Sequence, residues 1–208
     1  METRKPVPKV AAPRRLAVAA SKEVAKPAPV TPAAPLAAPP VARSETLISE
    51  PPPVLERAEK MINADQSVEA LFELRNARGK QLEDWRYHYL VGVAEMKLGR
   101  KGKAQDALTE SIRLGPNRSE PRLKRAVILQ DAGQHNDALS DLRAAEKISP
   151  STPEIYLNIG YSTDALGRTA EAKVAYLRFL SMSQAKASYS SAREWVSRRV
   201  RDLNGEGP

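Results

Sequence analysis

The sequence predicts an all-α fold, a solenoid of stacked antiparallel helix pairs preceded by a disordered Ala/Pro-rich arm. Three observations predict it. Proline is divided unevenly, with 12 in residues 1–53 and 5 in the other 155. From Pro51 onward apolar residues recur at helical spacing, punctuated by glycine. Several classes of position then return at a constant interval of 34 residues.

The arm comes first. Residues 1–50 are mostly Ala, Pro, Val, Lys, Arg, Ser and Thr, and contain no aromatic residue. Proline stands at 6, 8, 13, 27, 29, 32, 35, 39 and 40. Each proline removes an amide donor and pushes its predecessor out of the α region. The apolar residues are small, so their collapse does not offset backbone ordering at roughly 1–2 kcal/mol per residue. The composition predicts a disordered, partly polyproline-like spacer. Its basic pairs, Arg4-Lys5 and Arg14-Arg15, offer contacts to nucleic acid or anionic lipid. Composition favours the plain solvated spacer.

The repeat carries the remainder. Gly99, Gly133 and Gly167 are 34 residues apart, and so are Ala104, Ala138 and Ala172. Leu98, Ala132 and Leu166 precede the glycines in the same register, and Leu108, Leu142 and Tyr176 follow them. Leu114, Ile148 and Met182 come later in each unit, and Pro116 and Pro150 close two of them. Glycine between helices accepts a left-handed backbone angle at a C-cap. Alanine at one point of every second helix lets two helices cross closely. Proline stops the second helix. Such a helix pair cannot bury its apolar face alone and must stack on neighbours.

This pattern resembles the tetratricopeptide repeat, whose signature runs aromatic, Leu-Gly, aromatic, then Ala, an aromatic or large residue, Ala and Pro. Unit 153–186 carries the resemblance best, with Tyr156, Ile159, Gly160, Gly167, Ala172 and Tyr176, and departs at Gln184 where proline closes the pattern. Unit 85–118 offers Val91, Gly92, Gly99, Ala104, Leu108 and Pro116, with His88 and Glu95 where aromatics are usual. Unit 119–152 offers Ala126, Leu129, Gly133, Ala138, Leu142, Ala145 and Pro150, with Arg122 and Arg125 as departures. A degenerate unit, 51–84, keeps Ala58, Met61, Ala70, Leu74 and Ala77, but has Asp65 in the glycine place. Residues 187–203, with Trp195, Val196, Val200 and Leu203 among four arginines, read as a capping helix, and 204–208 as a disordered tail. The resemblance implies a right-handed solenoid over 51–203.

Catalytic and metal chemistry find little support. Cysteine is absent, which excludes a disulfide scaffold, a thiolate metal site and a cysteine nucleophile. The two histidines, His88 and His135, have no clustered acidic or histidine companions in sequence. Gly99-Arg-Lys-Gly-Lys103 lacks the spacing of a phosphate-cradling loop and reads as an inter-helix turn. No Gly-x-Ser-x-Gly elbow occurs. The expectation is a non-enzymatic protein with no cofactor and no metal.

The resemblance implies where a partner binds. In the family, positions 2, 5, 9, 12 and 13 of each unit point into a concave groove. Carried over, unit 85–118 contributes Arg86, Tyr89, Val93, Met96 and Lys97; unit 119–152 contributes Glu120, Leu123, Val127, Gln130 and Asp131; unit 153–186 contributes Glu154, Leu157, Tyr161, Asp164 and Ala165. A row of Tyr89, Val93, Leu123, Val127, Leu157 and Tyr161 is too apolar for a face that meets only water. It suits an extended or helical segment of a partner protein, with tyrosine anchors. Co-chaperones of the family clamp a C-terminal carboxylate with Lys and Asn at positions 5 and 9. Here those positions hold Tyr89 and Val93, or Leu55 and Glu59, so that clamp is absent.

The alternative is nucleic-acid association. The chain carries 33 Lys plus Arg against 25 Asp plus Glu, a formal net charge of +8. Arg193, Arg198, Arg199 and Arg201, with Arg100, Lys101 and Lys103, are the candidates. Acids interleave the basic residues elsewhere, so no continuous stripe is expected. No apolar stretch approaches the ~20 residues that cross a bilayer, and residues 1–15 lack the apolar core of a signal peptide. The expectation is a cytoplasmic protein, or a periplasmic one if a membrane anchor lies upstream. Such proline-rich arms also resemble spacers in accessory factors of bacterial envelope, pilus or secretion assemblies.

Overall fold

The computed structural model describes residues 53–206, and these form helices and turns with no strand among them. The arm assigned to residues 1–50 lies outside the described residues, as do the last two of the tail. The helices are α1 (Val54–Asn63), α2 (Ser67–Leu74), α3 (Trp85–Lys97), α4 (Lys101–Leu114), α5 (Ser119–Asp131), α6 (His135–Ile148), α7 (Pro153–Ala165), α8 (Thr169–Ser183) and α9 (Ser190–Leu203). Successive helices pack on each other as pairs, α1 on α2 through α7 on α8, and each pair packs on the next. The fold is an α-solenoid.

Start signals are local. Asp84 caps α3, its Oδ1 accepting from the Arg86 amide at 2.9 Å. Pro153 opens α7 at a position where no amide is needed. The same turn ends the first helix of every pair. Asp65, Gly99, Gly133 and Gly167 all have left-handed backbones, with φ of 64°, 76°, 74° and 72°. The amide of the following residue then reaches back five positions, as Gln66 does to Met61 and Arg100 to Glu95. The degenerate first unit thus makes the turn without its glycine.

Close approach fixes the packing within each pair. Ala58 and Leu74, Gly92 and Leu108, Ala126 and Leu142, and Gly160 and Tyr176 occupy equivalent places at intervals of 34, all buried. A Cβ on Gly160 would lie 2.4 Å from the Tyr176 ring. The missing methyl is the space the larger ring occupies.

The departures from the repeat pattern have physical substitutes. Arg125 on α5 donates from Nε and Nη2 to the two carboxylate oxygens of buried Asp141 on α6, at 2.7 Å each. Arg122 stands 3.8 Å from the same carboxylate. An ion pair thus holds α5 to α6 at the place where the sequence departs from the repeat pattern. In the first pair α2 stops at Leu74, and a 3-10 turn over Gly79–Glu83 leads into α3.

The last unit is covered by α9. Val196 is fully buried, Trp195 meets Tyr176 edge-on at 5.7 Å, and Tyr189 meets Phe179 at 5.8 Å. Each large side chain so removed from water contributes roughly 1.5–3 kcal/mol. The expected cap from Ala187 opens with a 3-10 turn, Ala187–Tyr189, which drops the Tyr189 ring onto α8 before α9 begins.

Candidate partner-binding groove

The first helices of successive pairs, α1, α3, α5 and α7, touch one another, while the second helices are held further apart. A stack whose two rows are unequally spaced curves toward the closer row. The residues expected by register therefore stand on three successive helices of the inner row.

Tyr89 on α3 is half-buried and packs against both the α1–α3 core and the smaller cluster of Ala104, Leu108 and Ile128. Its hydroxyl is pushed up to about 12, first by burial and then by the Glu120 and Glu59 carboxylates. Glu59 therefore belongs to the same surroundings; the sequence singled it out only as a clamp position of the degenerate unit. Its carboxylate also accepts from Arg86 at 3.3 Å. Val93 is buried, and Met96 is half-buried against Leu108 and its neighbours.

On α5 and α7, Leu123 and Leu157 are half-buried against the main core, and Val127 is half-buried too. The Tyr161 ring meets His135 at 5.8 Å. Burial lowers the proton affinity of that imidazole, whose Nδ1 is buried with no hydrogen-bond partner among the described residues. Tyr89, Leu123, Val127, Leu157 and Tyr161 thus stay partly accessible although apolar.

Several members of the expected set are committed within the chain, Gln130 and Asp164 among them. Gln130 is buried, and its amide donates to the Asn158 carbonyl at 2.8 Å and to Ser162 Oγ at 2.7 Å, tying α5 to α7. Asp164 accepts from Arg199 Nε and Nη2 at 2.6 and 2.7 Å, which latches α9 across the last pair. The 34-residue register contains no cue to Arg199, because the capping helix stands outside the repeat.

The cationic candidates are divided in the same way. Arg193 Nη1 donates to the carbonyls of Ser183 and Lys186 at 2.7 Å each, so with Arg199 two of the four cap arginines are taken up internally. Arg100 pairs with Glu95, and Lys101 with Asp131. Among the described residues no group of three or more His, Cys, Asp or Glu gathers as metal ligands. No described helix is long and apolar enough to cross a membrane.

The most exposed large apolar side chains sit on second helices, Phe72 and Val68 on α2 and Val174 and Leu177 on α8. Asp106 and Ser140 occupy the places of Phe72 and Val174 in the two middle pairs, so these residues do not form one continuous row.

Comparison with known proteins agrees with this architecture. Residues 153–186 match the family model of the tetratricopeptide repeat. Over 75 residues the chain is 35% identical to the small glutamine-rich tetratricopeptide repeat-containing protein 2 of Mycosarcoma maydis. That match covers 36% of this chain and 21% of the relative, so the chain spans about a fifth of the relative's length. Among solved structures, MamA 41-end from Desulfovibrio magneticus RS-1 is similar with a TM-score of 0.61 at 18% identity, over 74% of this chain and 86% of that one. The TPR2B domain of yeast Sti1, in complex with pHsp70, gives 0.53 at 20% identity, over 59% of this chain and 97% of that one. The first TPR of Spaghetti (RPAP3), bound to the HSP90 peptide SRMEEVD, gives 0.51 at 21% identity, over 57% and 94%. At these identities the likeness to solved structures is one of fold.

Proposed function

Taking the chain as a tetratricopeptide-repeat protein, we propose that it is a protein-interaction module whose inner row holds an extended or helical segment of a partner protein. One observation carries the reading. Tyr89, Leu123, Val127, Leu157 and Tyr161 are apolar, only half-buried, and placed on three successive first helices, the row that packs more closely than the second helices. Burial of partner side chains there supplies affinity at about 25 cal/mol per Å², less the ordering costs of association. The peptide complexes of yeast Sti1 and Spaghetti support protein segments as the class of ligand. The proline-rich arm suits a spacer that sets the module apart from whatever anchors it, as in an accessory factor of a bacterial envelope, pilus or secretion assembly.

The test is partner capture by the full chain and by its Tyr89→Ala/Tyr161→Ala variant. The variant is expected to lose captured proteins while keeping its helical circular dichroism. An unchanged set of captured proteins overturns the groove.

A further inference from the structure

The inner row carries its own pattern of charge. Its positions hold Arg86 and Lys97 against Glu120, Asp131, Glu154 and Asp164, an acidic balance in a chain of net charge +8. Four of these six are matched inside the protein: Arg86 by Glu59, Lys97 by Asp65, Asp131 by Lys101 and Asp164 by Arg199. Among the described residues Glu120 and Glu154 enter no ion pair, and the Glu154 carboxylate accepts only from the Tyr189 hydroxyl. They occupy the same place on α5 and α7, 34 residues apart, at the edge of the row formed by Leu123, Val127, Leu157 and Tyr161. Their location in the first helical turn favours each helix through its dipole, but brings no cation to the carboxylate.

Resting on the groove reading above, we propose that the occupant is a cationic segment, with two lysine or arginine residues three apart and aliphatic side chains between them. Packed helices lie about 8–10 Å apart. A polyproline-II-like segment turns once in three residues and advances about 3.1 Å per residue, so basic residues at i and i+3 lie on one face about 9 Å apart and span the gap between Glu120 and Glu154. The aliphatic residues between them turn to the other two faces, one of which meets the row. Acidic tails meet like charge at the same edge and are disfavoured.

The experiment measures fluorescence anisotropy of two labelled peptides with the full chain: Gly-Lys-Leu-Val-Lys-Leu-Gly and its counterpart with both lysines replaced by glutamate. The lysine peptide is expected to bind about tenfold tighter or more at low salt, with the gap narrowing at high salt. Glu120→Lys is expected to erase or reverse the preference. Should that variant lose helicity, Glu120→Gln and the salt series on the unsubstituted chain carry the same comparison. Equal affinities, both abolished by Tyr89→Ala/Tyr161→Ala, overturn the charge preference and leave the groove standing. Binding of either peptide that ignores the tyrosine substitutions overturns the groove and this inference with it.

Discussion

Arg125 and Asp141 meet through two parallel hydrogen bonds of 2.7 Å, in a place where the neighbouring units have none. The equivalent residues are Val91 and Ala107 in the preceding unit and Ile159 and Ala175 in the following one. The first unit carries the same kind of pair, Arg57 donating to Glu73 at 2.8 Å, so two of the four units place an ion pair where the other two have an apolar contact. The pair is largely desolvated, with side-chain exposures of 22% for Arg125 and 6% for Asp141. Removing one partner leaves a poorly solvated charge, whereas replacing both with apolar residues of fitting volume leaves only the more distant Arg122, which still donates to the Pro116 carbonyl. Asp141→Ala is expected to lower stability by about 3 kcal/mol. The double variant Arg125→Ile/Asp141→Ala is expected to recover most of that loss. Urea unfolding of the three proteins measures it, and a double variant as unstable as the single one refutes the exchange.

Gly160 and Gly92 hold equivalent positions but meet different neighbours. A Cβ at Gly160 would stand 2.4 Å from two atoms of the fully buried Tyr176 ring, which is rigid. At Gly92 it would stand 2.7 Å from Leu108 Cγ, and the third unit already accommodates alanine at that place, Ala126 opposite Leu142. Gly160→Ala is expected to cost about 2 kcal/mol. Gly92→Ala is expected to stay within about 1 kcal/mol, because helix propensity favours alanine over glycine by a similar amount. Thermal unfolding that ranks the two the other way contradicts the packing argument.

Asp65 adopts the left-handed turn that glycine makes in the other three units. A side chain there costs roughly 1–2 kcal/mol. Its exposed carboxylate pairs with Lys97 at 2.9 Å, a contact of about 1 kcal/mol at most. Asp65→Gly is therefore expected to be neutral to stabilising, by about 0.5 kcal/mol. Asp65→Ala, which keeps the strain and loses the pair, is expected to destabilise by about 1 kcal/mol. Chemical denaturation of both variants checks the order.

These residues also show how far the sequence could be read. The spacing of Gly99, Gly133 and Gly167 reported the turns because only a few residue types tolerate a left-handed backbone. Asp65 was legible as the occupant of that place by register alone, and its conformation required coordinates. The apolar row of Leu123, Val127, Leu157 and Tyr161 was an expectation implied by the family resemblance, and the half-buried state of these side chains required coordinates. Arg125 looked like a defect, since its partner lies 16 residues away on another helix and no short-range pattern joins them. Asp164 looked available for a partner, since Arg199 belongs to the one helix that does not repeat.

Alkaline titration reports the inner row directly. The Tyr89 hydroxyl is raised to about 12, chiefly by burial and then by Glu120 and Glu59, and Tyr176 and Tyr189 are raised as well, again chiefly by burial. In the unfolded chain a phenol ionises near 10. The folded state therefore holds these protons more tightly than the unfolded state does. Stability from this source is complete below pH 10 and is lost as pH rises toward the folded values. Unfolding midpoints are expected to be flat from pH 8 to about 10 and to fall above it. Tyrosinate absorbance from the buried rings should appear together with loss of helicity. Glu120→Gln removes one of the two carboxylates acting on Tyr89 and is expected to lower the pH at which its phenol ionises. A Tyr89 titration unmoved by that substitution separates Glu120 from the row, and removes the acidic edge on which a cationic partner depends.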